Sequence, residues 1–193
     1  MTWRGRSLLL PGSTGSGKST LAAYLASKGF DCLTDELAYV PAASNCVDGF
    51  RVPLKIKTSG LDALKGHVRL TTDSARRMAG HFDVLLAPEA SERESSNASL
   101  SVIVFPQYRA RSRFSLTPLS PSQTAVRLMT SVLNAAKLPD HGFREATRVA
   151  RLAVGYDMRF ANLGQVGSRI ERLQSMTSSG SDASLTQHPD SQA

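Results

Sequence analysis

A glycine-rich segment near the N-terminus constrains this chain more than any other feature of its sequence. Residues 12–19 read GSTGSGKS and match the pattern G-x-x-x-x-G-K-[S/T] in full. The short apolar run at residues 7–10 predicts a buried strand before this segment. Good helix formers from Lys18 to Lys28 predict a helix after it, ended by Gly29. A strand, such a segment and a helix in that order are typical of a phosphate-binding loop, or P-loop.

Each residue type in this motif has a physical reason to be there. Glycines let the backbone turn tightly and approach a ligand without a Cβ atom in the way. Successive N–H groups and the positive end of the following helix then form a nest for an anion. Lys18 is expected to reach the β- and γ-phosphates of ATP, and the Ser19 hydroxyl is expected to ligate Mg²⁺. The predicted nucleotide-binding residues are Gly12, Ser13, Thr14, Gly15, Ser16, Gly17, Lys18, Ser19 and Thr20.

A pair of carboxylates follows one helix later. Asp35 and Glu36 come directly after residues 30–34, which have strand character, so they are expected to face the P-loop across a neighbouring strand. Asp35 is expected to accept the proton of an attacking hydroxyl and, with Lys18, to be catalytic. Glu36 is expected to join Ser19 on Mg²⁺, directly or through water, because Mg²⁺ takes only one or two carboxylates. The alternative is an ordinary Asp-Glu turn.

The order of these features resembles a known family. Residues 12–36 are similar to the kinase domain of HPr kinase/phosphorylase, where a P-loop, a helix, a glycine, an apolar strand and an acidic pair follow one another. Residues 50–57 (FRVPLKIK) resemble that family's Pro-x-x-(Leu/Ile)-Lys strand. Residues 101–108 and 116–120, with a helix after them, resemble its next segment. The resemblance covers roughly residues 7–173, and only the P-loop is specific by itself.

The resemblance implies a fold and an activity. The fold is an α/β P-loop NTPase of the HPr kinase and phosphoenolpyruvate carboxykinase type, with a mixed β-sheet and flanking helices. The activity is transfer of a phosphoryl group from ATP, with Mg²⁺, to a serine of a small protein. Lys18 and Ser19 keep their P-loop roles in this comparison. Asp35 takes the position of the acid/base aspartate, and Glu36 replaces a second aspartate.

Two other functions stay open at this point. HPr kinases carry a histidine shortly before the P-loop strand, and residues 1–6 contain none. This difference favours a diverged relative acting on another protein or peptide, or a nucleotide-binding regulatory protein without turnover. A small-metabolite kinase fits the chain length and the position of the P-loop. Its expected Arg-rich lid helix is not recognisable, and Arg76 and Arg77 are the candidate lid arginines.

The net charge of +7 is concentrated in the second half of the chain. Residues 105–175 carry 11 basic and 4 acidic side chains, whereas residues 1–104 carry 12 and 10. A basic surface suits an anionic partner, although a merely solvated surface has the same composition. Lys18, which is expected to bind the nucleotide, lies in the first half of the chain, where basic and acidic residues nearly balance. The net positive charge of residues 105–175 is therefore expected to face a protein or peptide acceptor, and nucleic acid is a minor candidate.

Besides Arg76 and Arg77, two groups of basic residues are candidates for contacting an anion. Arg109, Arg111 and Arg113 form a hairpin-like cluster that could clamp a transferring phosphate, because the fork of arginine suits phosphate geometry. The cluster could instead receive an acidic partner or be a solvated loop. Lys55 and Lys57 alternate onto one face of their strand and could contact phosphate, although a solvated strand face is favoured.

Composition excludes several classes of protein. The 193 residues are 41% hydrophobic, which is too much for a wholly disordered chain. No apolar run approaches the ~18 residues that cross a bilayer, and no signal-peptide stretch follows Arg4 and Arg6. Cys32 and Cys46 form no C-x-x-C pair, which argues against a disulfide scaffold or structural zinc. These observations predict a cytoplasmic protein with no membrane partner, and the family resemblance leaves room for a homo-oligomer.

The pattern along the chain predicts one domain over residues 1–175 and a disordered tail over residues 176–193, which are rich in Ser, Thr, Gln and Asp. Helices are expected from Pro121, with Val126, Met129 and Leu133 on its apolar face, over residues 143–154 and over residues 166–173. Strands are expected at residues 50–57, 67–72, 82–87, 101–106 and 156–160, with one or two more within residues 30–40.

Overall fold

A computed structural model describes residues 1–49, 54–67, 75–78, 81–84, 98–133 and 135–176 of the chain. Its strands are β1 (Thr2–Trp3), β2 (Arg6–Leu9), β3 (Ala38–Tyr39), β4 (Asp48–Gly49), β5 (Ala75–Met78), β6 (His81–Val84), β7 (Ser99–Tyr108), β8 (Ser115–Leu119) and β9 (Val154–Phe160). Its helices are α1 (Lys18–Ala26), α2 (Thr58–Leu64), α3 (Pro121–Met129), α4 (Phe143–Leu152) and α5 (Gly167–Met176).

A mixed five-stranded sheet organises these elements in the order β1-β2-β7-β9-β8. Strands β2, β7 and β9 are parallel to one another, and the edge strands β1 and β8 are antiparallel to their neighbours. Strands β3 and β4 form one small antiparallel pair, and β5 and β6 form another. The expected fold class, α/β with a mixed sheet and flanking helices, is confirmed at this level.

The central strand β7 builds a core on each face of the sheet because its side chains alternate. Val102 and Val104 pack in a cluster that includes buried residues of α1 and α5. Ile103 and Phe105 pack in a second cluster that includes buried residues of α3 and α4. The sheet therefore lies between two helical layers, and β7 reads as the nearly continuous apolar run of a strand that is buried on both faces.

Parallel pairing decides where the loops of this fold meet. The carboxyl ends of β2, β7 and β9 lie at the same edge of the sheet. Residues 10–17 leave that edge from β2, residues 109–114 leave it from β7, and residues 161–166 leave it from β9. In open α/β sheets this edge is where ligands bind, so the glycine-rich segment emerges at the expected place.

Several predicted elements are confirmed. The strand at residues 7–10 is β2, and the strands at 101–106 and 156–160 lie within β7 and β9. The helix that begins at Lys18 is α1, which ends at Ala26, and the turn after it reaches Gly29 at a φ of +91°. The helices predicted at 143–154 and 166–173 are α4 and α5, and residue 154 already belongs to β9.

The apolar face predicted for the helix after Pro121 is wrong at two of its three residues. The start of the helix is confirmed, because the Ser120 side chain and Gln123 form a reciprocal capping box. Val126 is 64% exposed, and Leu133 is 81% exposed and lies beyond the end of α3. Met129 is partly buried and packs against the second core cluster, as predicted. The buried residues of the helix are Thr124, Ala125 and Leu128, which the apolar spacing did not identify.

Other predictions are only partly covered. Residues 30–40 contain the two-residue strand β3 and a single bridge from Asp31 to Thr2, so they are less regular than expected. Leu54 and Ile56 are buried while Lys55 and Lys57 are exposed, which confirms the predicted alternation at residues 54–57. Outside the described residues lie 50–53, 68–74, 85–97 and 177–193, and with them parts of three predicted strands and nearly all of the predicted tail. None of the described helices is long and apolar enough to cross a membrane.

Candidate active site

The glycine-rich loop (residues 12–19) joins β2 to α1 and curls on itself. Gly15 and Gly17 have φ values of +85° and +92°, in the left-handed region that glycine adopts without strain. The Ser16 N–H donates to the Ser13 carbonyl over 3.2 Å, which closes the turn. Gly17 is the cap of α1, and no side chain caps this helix. The N–H groups of its first turn therefore remain available to an anion.

The loop is held in place by the ends of β7 and β9. The Tyr108 N–H donates to the Ser16 carbonyl over 2.9 Å. A Cβ atom at Gly17 would lie 3.1 Å from both Phe160 Cζ and Tyr108 Cβ, closer than side chains normally pack. Gly17 is thus required for two independent reasons, its backbone angle and the space around it. A Cβ atom at Gly12 would likewise lie 2.9 Å from Ser16 Oγ.

Lys18 turns back over the loop. It is the first residue of α1, and its Nζ atom donates to the Ser13 carbonyl over 3.2 Å. The ammonium group therefore lies across the loop whose N–H groups were predicted to hold phosphate. Thr20, two residues further along α1, lies against α2, because a Cβ atom at Gly60 would come within 2.5 Å of Thr20 Oγ1. The contact of Thr20 with nucleotide stays a prediction.

Asp35 lies beside the loop, in contact with Ser19. The Ser19 hydroxyl donates to Asp35 Oδ2 over 3.2 Å, and the Lys55 N–H donates to the same oxygen over 3.4 Å. Burial raises the pKa of Asp35 above its ordinary value, while the Ser19 and Lys55 hydrogen bonds and the charge of Lys18 act in the opposite direction. Asp35 is therefore a partly desolvated carboxylate with a raised proton affinity, held next to the residue predicted to ligate Mg²⁺.

Glu36 has a different environment although it is the next residue. Its Oε1 atom lies 3.4 Å from Lys55 Nζ, and both side chains are about two-thirds exposed, at 63% and 66%. Such exposed pairs contribute about 0–1 kcal/mol. The carboxylate that contacts Ser19 is thus Asp35, and Glu36 contacts a lysine that had been expected to reach phosphate or solvent.

The residues present fit a magnesium ion that is shared with a nucleotide. Mg²⁺ keeps several waters and takes one or two carboxylates plus phosphate oxygens, so it does not need a cage made only of protein. Ser19 and Asp35 offer a hydroxyl and a carboxylate within one hydrogen bond of each other. Across the described part of the chain, no cluster of three or more His, Cys, Asp or Glu side chains forms a separate metal site.

The arginine loop (residues 109–114) runs across the carboxyl end of β9. The Arg109 N–H donates to the Phe160 carbonyl over 2.9 Å, and Arg111 has a φ of +62°. Strands β7 and β8 lie on opposite sides of β9, so this loop is a crossover and not the expected hairpin turn. Arg109, Arg111 and Arg113 are exposed, and no carboxylate among the described residues forms an ion pair with them.

The sequence predicted that Asp35 lies beside the loop, but it did not predict the residues that hold the two in place. No motif or spacing in the sequence indicates the hydrogen bond from the Lys55 N–H or the contacts of Gly17 with Tyr108 and Phe160. The order of the predicted strands could have indicated the contacts with Tyr108 and Phe160, because parallel strands place their carboxyl ends at the same edge of a sheet. Arg76 and Arg77 lie in β5, and their side chains are outside the described part.

No family model, curated protein or solved structure matches this chain.

Proposed function

We propose that this chain is an ATP- and Mg²⁺-dependent kinase similar to HPr kinase, with a P-loop NTPase fold of that type. It would transfer the γ-phosphoryl group of ATP to a serine hydroxyl of a protein or peptide. The observation that carries this proposal is the contact of Asp35 with Ser19 at 3.2 Å, beside a complete glycine-rich loop. A phosphate-binding loop accounts for nucleotide binding, and a partly buried carboxylate next to it accounts for chemistry.

Each residue then has a defined role. The loop N–H groups and the Lys18 ammonium would hold the phosphates. Ser19 together with Glu36 or Asp35 would hold Mg²⁺, which would supply positive charge beside the phosphate oxygens. Asp35 accepts the proton of the acceptor hydroxyl as its oxygen bonds to the γ-phosphorus and the bond to ADP breaks. A raised pKa makes this carboxylate a stronger base than an exposed one. Positioning and charge stabilisation supply the rest.

A nucleotide-binding regulatory protein without turnover is the second candidate, and Glu36 favours it. Glu36 is engaged with Lys55, so Asp35 alone would have to serve both Mg²⁺ and the proton. P-loop proteins divide these tasks between separate groups, an aspartate on Mg²⁺ and another residue on the nucleophile. A chain with one carboxylate at the loop is consistent with binding that leads to no transfer.

Incubation of the full chain with [γ-³²P]ATP, Mg²⁺ and a panel of acceptors separates these functions. The kinase proposal expects label on serine of a protein or peptide, lost in Asp35→Ala. Label on a small metabolite would instead support a metabolite kinase. Nucleotide binding with no transfer to any acceptor would support the regulatory protein.

Binding itself is tested by equilibrium titration with Mg²⁺·ATP. Lys18→Ala is expected to weaken affinity by about 10- to 100-fold, the value of a charge-assisted contact. Arg151→Ala is the matched control, because Arg151 is an exposed cation on α4. If the wild-type chain shows no affinity for any nucleotide, both candidate functions fail.

A further inference from the structure

A cavity away from the glycine-rich loop lies between the arginine loop and the start of α5. Its volume is about 470 Å³, within the range of small-molecule sites. It shares no residue with the glycine-rich loop, and none of its lining side chains is a carboxylate. The cavity is lined by Ser112, Arg113, Phe114, Gln165, Ser168 and Arg169.

Two arginines give this cavity its charge. The guanidinium of Arg169 lies 4.4 Å from the centre of the Phe114 ring, a cation–π contact that holds it at the cavity wall. Arg113, on the arginine loop, also lines the cavity. Within the described ranges, neither arginine forms an ion pair with a carboxylate. Two unneutralised guanidinium groups on one small cavity favour an anion, and their fork geometry matches a tetrahedral oxyanion.

The Ser112 hydroxyl is an independent indication of a ligand. Ser112 Oγ is buried and has no hydrogen-bond partner within the described part of the chain, although the Ser112 N–H donates to the Arg109 carbonyl. Buried polar atoms without a partner are rare in folded proteins, because each one loses its hydration without compensation. Ser112 is one of the residues that line the cavity, and a rotation of its side chain would let a bound oxyanion act as the missing acceptor.

The start of α5 adds the Ser168 side chain to the lining of the cavity. Ser168 and Arg169 lie in the first turn of α5, which is ten residues long. The Arg169 N–H donates to the Val166 carbonyl over 3.1 Å, so Arg169 contributes through its guanidinium group and not through its amide. The two arginines and the serine hydroxyls therefore favour one kind of ligand, an oxyanion.

We propose that this cavity binds a phosphate group, either inorganic phosphate or the phosphate monoester of a small molecule. This second anion site is separate from the glycine-rich loop and does not depend on the proposed kinase function. It gives part of the positive charge in residues 105–175 a defined ligand.

The test measures binding of inorganic phosphate to the full chain carrying Lys18→Ala, so that the glycine-rich loop contributes less. Isothermal titration at low salt is expected to show one remaining site. Arg169→Gln and Arg113→Gln, each added to Lys18→Ala, are expected to weaken that site by about tenfold. Arg151→Gln is the matched control, because it removes an exposed arginine outside this cavity.

Ser112→Ala separates binding from folding. Removal of an unpartnered buried hydroxyl is expected to leave thermal stability unchanged or raised, while phosphate affinity falls. Phenyl phosphate serves as the monoester probe: tighter binding than inorganic phosphate identifies an organic phosphate as the ligand, and equal binding identifies phosphate itself. Absence of the second site, equal affinity in Arg169→Gln, or equal binding of acetate would overturn the proposal.

Discussion

The glycine-rich loop and the acidic segment that follows it (residues 31–40) are built on opposite principles. The loop is shaped by its own backbone, through left-handed glycines and a turn closed between Ser13 and Ser16. The acidic segment contains only a bridge at Asp31 and the short strand β3. Asp35 is fixed there by partners from elsewhere in the chain. The shape of the loop is thus set mostly by its own residues, with support from the ends of β7 and β9, whereas the position of Asp35 depends on the tertiary fold.

The adjacent residues Asp35 and Glu36 show the consequence. Asp35 is partly buried and accepts two hydrogen bonds, while Glu36 is 63% exposed beside Lys55. Asp35 is therefore the partly desolvated carboxylate of the two, and burial raises its pKa above the ordinary value. Substitutions that separate binding, transfer and stability are the way to test this contrast.

The largest effect is expected from Asp35→Asn. Loss of the proton acceptor should lower phosphoryl transfer by about 10²- to 10⁴-fold, the usual contribution of a general base. Nucleotide affinity should change far less, because the loop N–H groups and Lys18 are untouched. Single-turnover transfer and equilibrium titration measure the two quantities. Asp62→Asn, on the exposed face of α2, is the control. Transfer that survives in Asp35→Asn would remove Asp35 from the chemistry.

A smaller effect is expected from Gly17→Ala, which tests the glycine-rich loop and its contacts with the ends of β7 and β9. Its positive φ and the 3.1 Å approach of Phe160 and Tyr108 both oppose a Cβ atom. We expect a loss of about 2–4 kcal/mol in the free energy of unfolding, from strain and crowding together. Gly29→Ala is a matched control, because the φ of Gly29 is +91° and a Cβ atom there would have no contacting heavy atom within 4 Å. It should lose only the strain, about 1–2 kcal/mol. Equal losses in urea unfolding would show that crowding at Gly17 is unimportant.

The pH dependence of stability tests the acidic segment. Because burial raises the pKa of Asp35, the folded state binds this proton more tightly than the unfolded state does. Above this raised pKa, the ionised carboxylate therefore lowers the free energy of unfolding. The loss disappears as the pH falls from the raised pKa of the folded state to the ordinary pKa of the unfolded state. The Asp35→Asn variant should have a larger free energy of unfolding than wild type at about pH 7 and a similar one at about pH 4. Urea unfolding at the two pH values measures this, and a difference that grows on acidification would contradict it.

The same contrast explains how much the sequence could predict. Residues 12–19 and the flanking β2 and α1 follow from motif and apolar pattern, since their conformation is decided within about twenty residues. The buried face of α3 could not be found in this way, because periodicity pointed to Val126 while packing buried Thr124 and Ala125. The partners of Asp35 lie 16 and 20 residues away in the sequence, and the cavity at Arg169 combines the loop after β7 with the start of α5. No local pattern contains that information.

The smallest effect is expected from Glu36→Gln, and it decides which carboxylate serves the metal. The exposed ion pair with Lys55 contributes about 0–1 kcal/mol, so the free energy of unfolding should barely change. If Asp35 is the carboxylate beside Mg²⁺, the Mg²⁺ concentration needed for half-maximal transfer should also stay within about twofold of wild type. Lys55→Gln is the reciprocal control, because it frees Glu36 without removing it. If the Mg²⁺ concentration for half-maximal transfer rises strongly in Glu36→Gln but not in Lys55→Gln, Glu36 is the metal ligand. Asp35 would then serve only as the proton acceptor.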